Sequence, residues 1–355
     1  MRRIQTTRNQ SNLTMIRRPW LLNSSFMVLL TIAGCSQDSD LAVQGAPGND
    51  LSKSLSGVSC EYQFIPFDAP SEMGNGTSAF GVNNRGVIVG NYFTVDERID
   101  GFVYKNGQFI DVWVAGSTSL LAVNDLGDAT GSFDDSEGIV HTFLRNRNGD
   151  ITVLPDPAPD AVITEAVGIN NRGNAVGFYF DPDFVVHGFT YSNGFMTVYD
   201  YPGSGGTFLT GINNHEQVTG FWVDPDGIRH GFLLDHGTPQ PIDFPGALHT
   251  RPRSINDRGQ VIGYYSDSNN ISHGFILDAG VFTSLDFPGS MNTNLFGINN
   301  GGTIVGTYDD YTRGLVAKCG GSGDSDAIER SANVITSQRV TLRDELLKQR
   351  RLLRE

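Results

Sequence analysis

Between residues 60 and 319 the chain runs as short stretches of alternating apolar and polar residues, punctuated by Gly, Pro, Asn and Asp. Alternation with a period of two sends successive side chains to opposite faces, so the pattern predicts many short, half-buried strands joined by tight turns. Residues 164–199 hold four such runs, designated a to d. Run a, 164–169, ends in Asn170-Asn171-Arg172-Gly173, where a Gly with positive φ closes a hairpin into run b, 174–180. Run c begins His187-Gly188-Phe189, and run d, 195–199, leads to Asp200-Tyr201-Pro202-Gly203, where Pro and Gly stop the strand and turn the chain.

The unit recurs. Its hairpin signature stands at Gly81-Val-Asn-Asn, Ala122-Val-Asn-Asp, Gly168-Ile-Asn-Asn, Gly211-Ile-Asn-Asn, Ser254-Ile-Asn-Asp and Gly297-Ile-Asn-Asn, with the first Asn spaced by 41, 46, 43, 43 and 43 residues. Such a period belongs to propellers and solenoids, and four strand-like runs per copy favour blades set radially. The predicted fold is therefore all-β, a six-bladed β-propeller over residues 60–319. The sixth copy lacks run d, whereas an orphan run d, 62–70, precedes the first; the orphan is expected to close the last blade as its outermost strand, leaving run a to line the channel.

Three further patterns refine that picture. In run b a Gly and an aromatic stand two apart (Gly90/Tyr92, Gly131/Phe133, Gly177/Tyr179, Gly220/Trp222, Gly263/Tyr265, Gly306/Tyr308), which predicts rings buried between copies and lying over the bare Gly backbone. Run c opens with His141, His187, His230 and His273, and with Asp100 and Arg313 in the other two copies; His residues spread around a ring are expected to bond a neighbouring turn and not to converge on one metal. Aligning Asp68 with Asp200 puts Cys60 at Ser192, and aligning Arg313 with His187 puts Cys319 at Asn193, adjacent places in the c–d turn. A Cys60–Cys319 disulfide is predicted there, worth about 4 to 5 kcal/mol in the chain-entropy account.

The flanks differ in composition. Residues 1–34 hold five Arg and no acidic residue, followed by an apolar run over 21–34 that is too short to span a bilayer, and together these predict a secretory signal. Met15-Ile16-Arg17-Arg18 offers a second start immediately before the apolar run. Residues 35–59, rich in Ser, Asp, Gly and Pro, read as a flexible tether. After a Gly-Ser-Asp linker from 320, Thr341-Leu-Arg-Asp344 stands as a capping box before Leu346, Leu347, Leu352 and Leu353, predicting a short amphipathic helix over 341–354. Loss of the signal takes the net charge from −14 to −19. With no basic stripe, this argues against nucleic-acid binding.

Two resemblances add to this. Thr31-Ile32-Ala33-Gly34-Cys35 resembles the lipobox of bacterial lipoproteins, which implies a lipidated Cys35 at the mature N-terminus and a membrane anchor; Ser36, where inner-membrane retention resembles a rule requiring Asp, implies the outer membrane or cell surface. The Gly-Ile-Asn-Asn-x-Gly hairpins with a His-Gly-Phe strand resemble the bacterial extracellular HAF-repeat family over about residues 62–316, which implies secreted, propeller-like repeats and brings no established activity. The units depart from it at Ala122, Ser254 and His215-Glu216, where Glu216 replaces the turn Gly and must itself take positive φ or change the turn.

Candidate chemistry is sparse. The b–c loops carry Asp96-Glu97, Asp134-Asp135, Asp181-Pro-Asp183, Asp224-Pro-Asp226-Gly, Asp267 and Asp309-Asp310 on what would be one rim. Carboxylates two apart suit Ca²⁺, so Asp181, Asp183, Asp224 and Asp226 are the candidate metal ligands, although the same sequences are good solvated turns. Asp125 and Asp257 replace the second hairpin Asn three copies apart and are the candidate channel acids of an alternative reading, a lactonase-like or glycosidase-like hydrolase with a channel metal. His215-Glu216 lacks the second His of a zincin helix, Gly203-Ser-Gly-Gly206 lacks the Lys of a phosphate loop, and no nucleophile elbow occurs. The favoured reading is a membrane-tethered extracytoplasmic propeller that binds a carbohydrate or protein ligand, with Ca²⁺ as its candidate cofactor.

Overall fold

Each copy folds as an antiparallel four-stranded meander in the order a-b-c-d, as seen in a computed structural model that describes residues 60–319 other than 72 and 310. In the third copy the strands are Ile163–Ile169, Ala175–Phe180, Val186–Ser192 and Phe195–Tyr199. The first, fourth and fifth copies form separate four-stranded sheets. The second and third are joined by one parallel bridge, Ile163 opposite Val140, where the connection between copies is longer and strand d (Ile151–Val153) is short and exposed. The predicted signal (1–34), Cys35, the tether (36–59), Asp310 and the tail from 320 lie outside the described residues.

The sixth sheet is completed from the other end of the chain. Tyr62–Pro66 pairs antiparallel with Arg313–Cys319, Tyr62 opposite Cys319 and Pro66 opposite Leu315, as its outermost strand. No covalent turn joins these two strands. The Cys60–Cys319 disulfide, with Cα atoms 5.4 Å apart, stands in its place.

Close approach explains the Gly of run b. A Cβ on Gly90, Gly131 or Gly220 would sit 2.9, 2.4 or 2.6 Å from the ring of Phe102, Phe143 or Phe232, the fully buried Phe of the adjoining strand c. At these three Gly residues the ring thus comes from run c, which corrects there the expectation that the run-b aromatic covers it; residues two apart on one strand share a face but do not reach across it. The run-b aromatics do pack between copies. Tyr201 stacks on Trp222, Phe244 on Tyr265 and Phe287 on Tyr308, with centroids 4.8, 3.7 and 3.8 Å apart, each pair joining one copy's exit from strand d to the next copy's strand b.

The first Asn of each hairpin ties the copies into a ring. Its Oδ1 accepts backbone N–H groups within its own turn, in Asn83 those of Arg85 and Val87, while its Nδ2 donates to the backbone carbonyl of the next first Asn. These links run from Asn83 to Asn124, Asn170, Asn213, Asn256 and Asn299 and back to Asn83, at 2.8 to 3.3 Å. Radial four-stranded sheets closed in this way make a β-propeller. The turn Gly takes positive φ in five copies, and Glu216 takes φ 64° in the remaining one, its carboxylate paired with Arg172.

Candidate functional site

The a strands surround a channel of about 90 Å³, lined from Phe80 to Asn84 and by the matching residues of the other copies. The recurring small residue of run a sits where backbones crowd: a Cβ on Gly211 would lie 2.8 Å from the Ser254 Cα, and one on Gly297 3.0 Å from the Gly81 Cα. At the hairpin mouth the second Asn or Asp of each copy forms a second ring. Each backbone N–H donates to the next side-chain Oδ1, from Asn84 through Asp125, Asn171, Asn214, Asp257 and Asn300 back to Asn84. Asp125 Oδ2 accepts the amides of Asn84 and Asn171, and Asp257 Oδ2 those of Asn214 and Asn300. Burial works to raise the Asp257 pKa, but these amide donors outweigh it and hold the carboxyl below its ordinary value. Both sequence-proposed channel acids therefore lie in one ring, each with its carboxylate taken up by neighbouring donors. Ligand pockets usually enclose about 300 to 1,000 Å³, well above the volume beside them.

Antiparallel pairing sends the b–c loops and the d-to-a connections to the opposite face. There Asp181 Oδ1 accepts the N–H groups of Asp183 and Val185, and Asp224 Oδ1 those of Asp226 and Ile228, so each Asp closes its own turn. The other oxygen faces the run-c imidazole. His230 lies between Asp224 (3.3 Å from Nε2) and Asp243 (3.0 Å from Nδ1), His187 between Asp181 and Asp200, His141 between Asp135 and Asp156, and His273 between Asp267 and Asp286. Stacking on Tyr179, Trp222 and Tyr265 fixes three of these rings. Burial opposes protonation of His230, yet its hydrogen bonds to Asp243 and Asp224 raise its pKa on balance. The expected role of the His residues, bonding a neighbouring turn, is what the geometry shows. Asp183 and Asp226 stand exposed at the loop tips, and among the described residues no group of three or more His, Cys, Asp or Glu is arranged to hold a metal.

The centre of this second face breaks the repeat. Six residues into each strand a from the first Asn, a Thr recurs (Thr77, Thr118, Thr164, Thr207, Thr250, Thr293), and in five copies its Oγ1 accepts a backbone N–H from the incoming connection. The next residue is Ser78, Ser119, Glu165, Phe208, Arg251 or Asn294. These meet varied neighbours from strand b. Ser132 donates to Glu165 at 3.2 Å, Phe208 stacks on Phe221 with centroids 4.4 Å apart, and the Arg251 guanidinium lies 5.2 Å from the Tyr264 ring centre. Burial pushes Glu165 up to about 7, partly offset by Ser132 and by Arg253, which reaches over the Phe296 ring from a different copy. Tyr311, held at φ 65° in the last b–c loop, donates to Asn294 Oδ1 and closes this end beside Phe296.

Sequence reasoning thus located the rim acids, the His residues and both channel acids, and missed Glu165, Arg253, Tyr264 and Tyr311. The signal was present: aligned on the first Asn, the copies keep Thr at one position and vary freely at the next.

No family model and no curated protein matches the chain. Among solved structures it is similar to a catalytically inactive virginiamycin B lyase from Staphylococcus aureus with quinupristin (10% identity, 73% of this chain and 99% of that one, TM-score 0.47). It is also similar to the fungal Aleuria aurantia lectin, described as a six-bladed β-propeller with a novel fucose recognition mode (13%, 59% and 78%, 0.41), and to the SapL1 lectin in complex with α-methyl fucoside (9%, 67% and 90%, 0.47). None of these likenesses assigns an activity to this chain.

Proposed function

We propose that residues 60–319 form a six-bladed propeller of the HAF-repeat kind, exported, held at the outer membrane or cell surface by a lipid on Cys35, and acting as a binding module whose ligand face carries the b–c loops. One observation carries the choice of face: the hairpin face keeps its residues from copy to copy in two hydrogen-bonded rings, whereas the centre of the b–c face differs in almost every copy. Equivalent packing calls for equivalent side chains; a ligand without six-fold symmetry calls for different ones. Phe184 supports the same face. It is 65% exposed at φ 61°, where the second and fourth copies use Gly138 and Gly227, and a bulky residue held so costs about 1 kcal/mol.

The HAF-like hairpins and the lipobox-like stretch support the address, and the absence of a nucleophile or base pair in any recognised motif favours binding over hydrolysis. Calcium at Asp181, Asp183, Asp224 and Asp226 belongs to this proposal as a cofactor that steadies the rim. It would have to compete with the turn N–H groups and the imidazoles for Asp181 and Asp224. The test is a glycan array probed with the mature protein, with and without Ca²⁺. Binding should fall at least ten-fold in Phe184→Ser and remain in Arg85→Ala on the hairpin face; equal loss from both faces refutes the choice of face. A melting temperature indifferent to Ca²⁺ removes the metal.

A further inference from the structure

The channel is uniform at its hairpin end and two-sided at the other. Alternation along strand a turns every second residue the same way, so Phe208, two residues before the channel-lining Thr210, faces the ligand-side end of the channel, as its counterparts do in the other copies. Each of these residues is paired across the sheet with one on strand b. In the sixth, first and second copies, which are consecutive around the ring, the pairs are Asn294 with Thr307, Ser78 with Asn91 and Ser119 with Ser132, all polar and uncharged. In the third to fifth they are Glu165 with Phe178, Phe208 with Phe221 and Arg251 with Tyr264. Aromatic rings therefore occupy one side of this end, and small polar groups the other.

Phe208 presents the open part of the aromatic side. Its ring stacks on Phe221, with centroids 4.4 Å and planes 17° apart, and meets Phe178 edge to face at 4.9 Å. Both supporting rings are buried, whereas Phe208 is half-buried. The residue two places nearer the mouth is Gly206, where a Cβ would lie 2.5 Å from Val186 Cγ1, so no side chain of that residue covers the ring. In the same place of the next copy stands Arg251, also half-buried, with its guanidinium 5.2 Å from the Tyr264 ring centre. A guanidinium over a ring keeps its in-plane N–H groups for acceptors at its edge. An aromatic platform beside a planar donor suits a ligand that is apolar on one face and rich in oxygen around its edge. A wholly apolar ligand would strip water from Arg251 and offer it no acceptor.

We propose that Phe208 and Arg251 form a monosaccharide subsite, in which the C–H face of a pyranose ring lies on Phe208 and hydroxyl oxygens at its edge accept from Arg251. Covering the C–H face and the Phe ring removes apolar surface from water, and the guanidinium fixes the orientation, as a few placed polar groups do in small-ligand sites. The inference rests on the reading of this face as the ligand face and names the class of ligand and the two residues that take it.

The experiment adds the methyl glycosides of glucose, galactose, mannose, fucose and N-acetylglucosamine in turn to the mature protein. Benzyl alcohol serves as an apolar ring and sorbitol as an open-chain polyol, and binding is read by saturation-transfer NMR and isothermal calorimetry. At least one glycoside should bind with a millimolar or lower Kd, with saturation strongest at the C–H protons of one ring face, while benzyl alcohol and sorbitol bind at least ten-fold more weakly. Phe208→Ala and Arg251→Gln should each weaken binding ten-fold or more, and Phe208→Tyr, which keeps the ring, should retain it. Arg251→Gln is made at a half-buried surface position, and a melting temperature equal to that of the wild type separates lost binding from lost folding. No glycoside binding, tighter binding of benzyl alcohol, or unchanged affinity in both Phe208→Ala and Arg251→Gln overturns the subsite. Glycan-array binding that is lost in Phe184→Ser yet survives both of these substitutions leaves the face standing and removes only this inference; array binding indifferent to Phe184, Phe208 and Arg251 alike removes the face as well.

Discussion

Replacing Asn83 by Ala tests the idea that the hairpin Asn holds the ring together and does more than turn the chain. Its side chain is 3% exposed and makes three hydrogen bonds, accepting from Arg85 and Val87 at 3.0 Å each and donating to the Asn124 carbonyl at 2.8 Å. At about 1 kcal/mol net for each, and more where a buried group is left unsatisfied, the loss comes to about 3 to 5 kcal/mol. For a domain of this size that lowers the melting temperature by roughly 6 to 10 °C. Asn83→Asp separates the two functions, since one carboxylate oxygen still closes the turn while the other faces the Asn124 carbonyl. At neutral pH this variant should be at least as unstable as Asn83→Ala, and it should recover in acid, where the protonated carboxyl can donate to that carbonyl. Urea melts of both variants at pH 7 and pH 4 provide the measurement. A loss below about 1 kcal/mol, or an Asp variant equal to wild type at pH 7, refutes the copy-to-copy tie.

Further expectations follow from the closure, the buried acid and the leader. Cys319→Ser opens a cross-link that spans 259 residues; the chain-entropy account gives about 5 kcal/mol, read as a fall of roughly 10 °C in calorimetry, and peptide mapping that recovers both thiols free would contradict the bond. Glu165, raised by burial to about 7 from an ordinary value of 4.5, keeps its proton in the folded state after the unfolded chain has released it. Its contribution is therefore full below pH 4.5 and is lost as pH rises to about 7, on the order of 3 kcal/mol. Glu165→Gln should flatten that part of the stability profile, and an unchanged slope would show that the group does not titrate there. Cys35→Ala should abolish globomycin-sensitive processing and detergent-phase partitioning; a variant that still partitions argues against the lipid anchor.

Periodicity carried most of the architecture. The a-to-d meander, the displaced closing strand, the channel-lining run and the disulfide were all legible, because each depends on local alternation, turn chemistry or alignment of one copy with another. Even Glu216 was marked as a residue that must take positive φ or change the turn, since its counterparts in the repeat carry Gly, and it takes φ 64°. What the tertiary structure alone decided were contacts between copies. That Asn83 reaches the Asn124 carbonyl and that Asp125 is saturated by Asn84 and Asn171 depend on how one sheet meets another. The same holds for the cluster of Glu165, Arg253, Tyr264 and Tyr311. Its members come from three different copies, and only closure of the ring brings them to one wall, where burial and mutual charge set their chemistry.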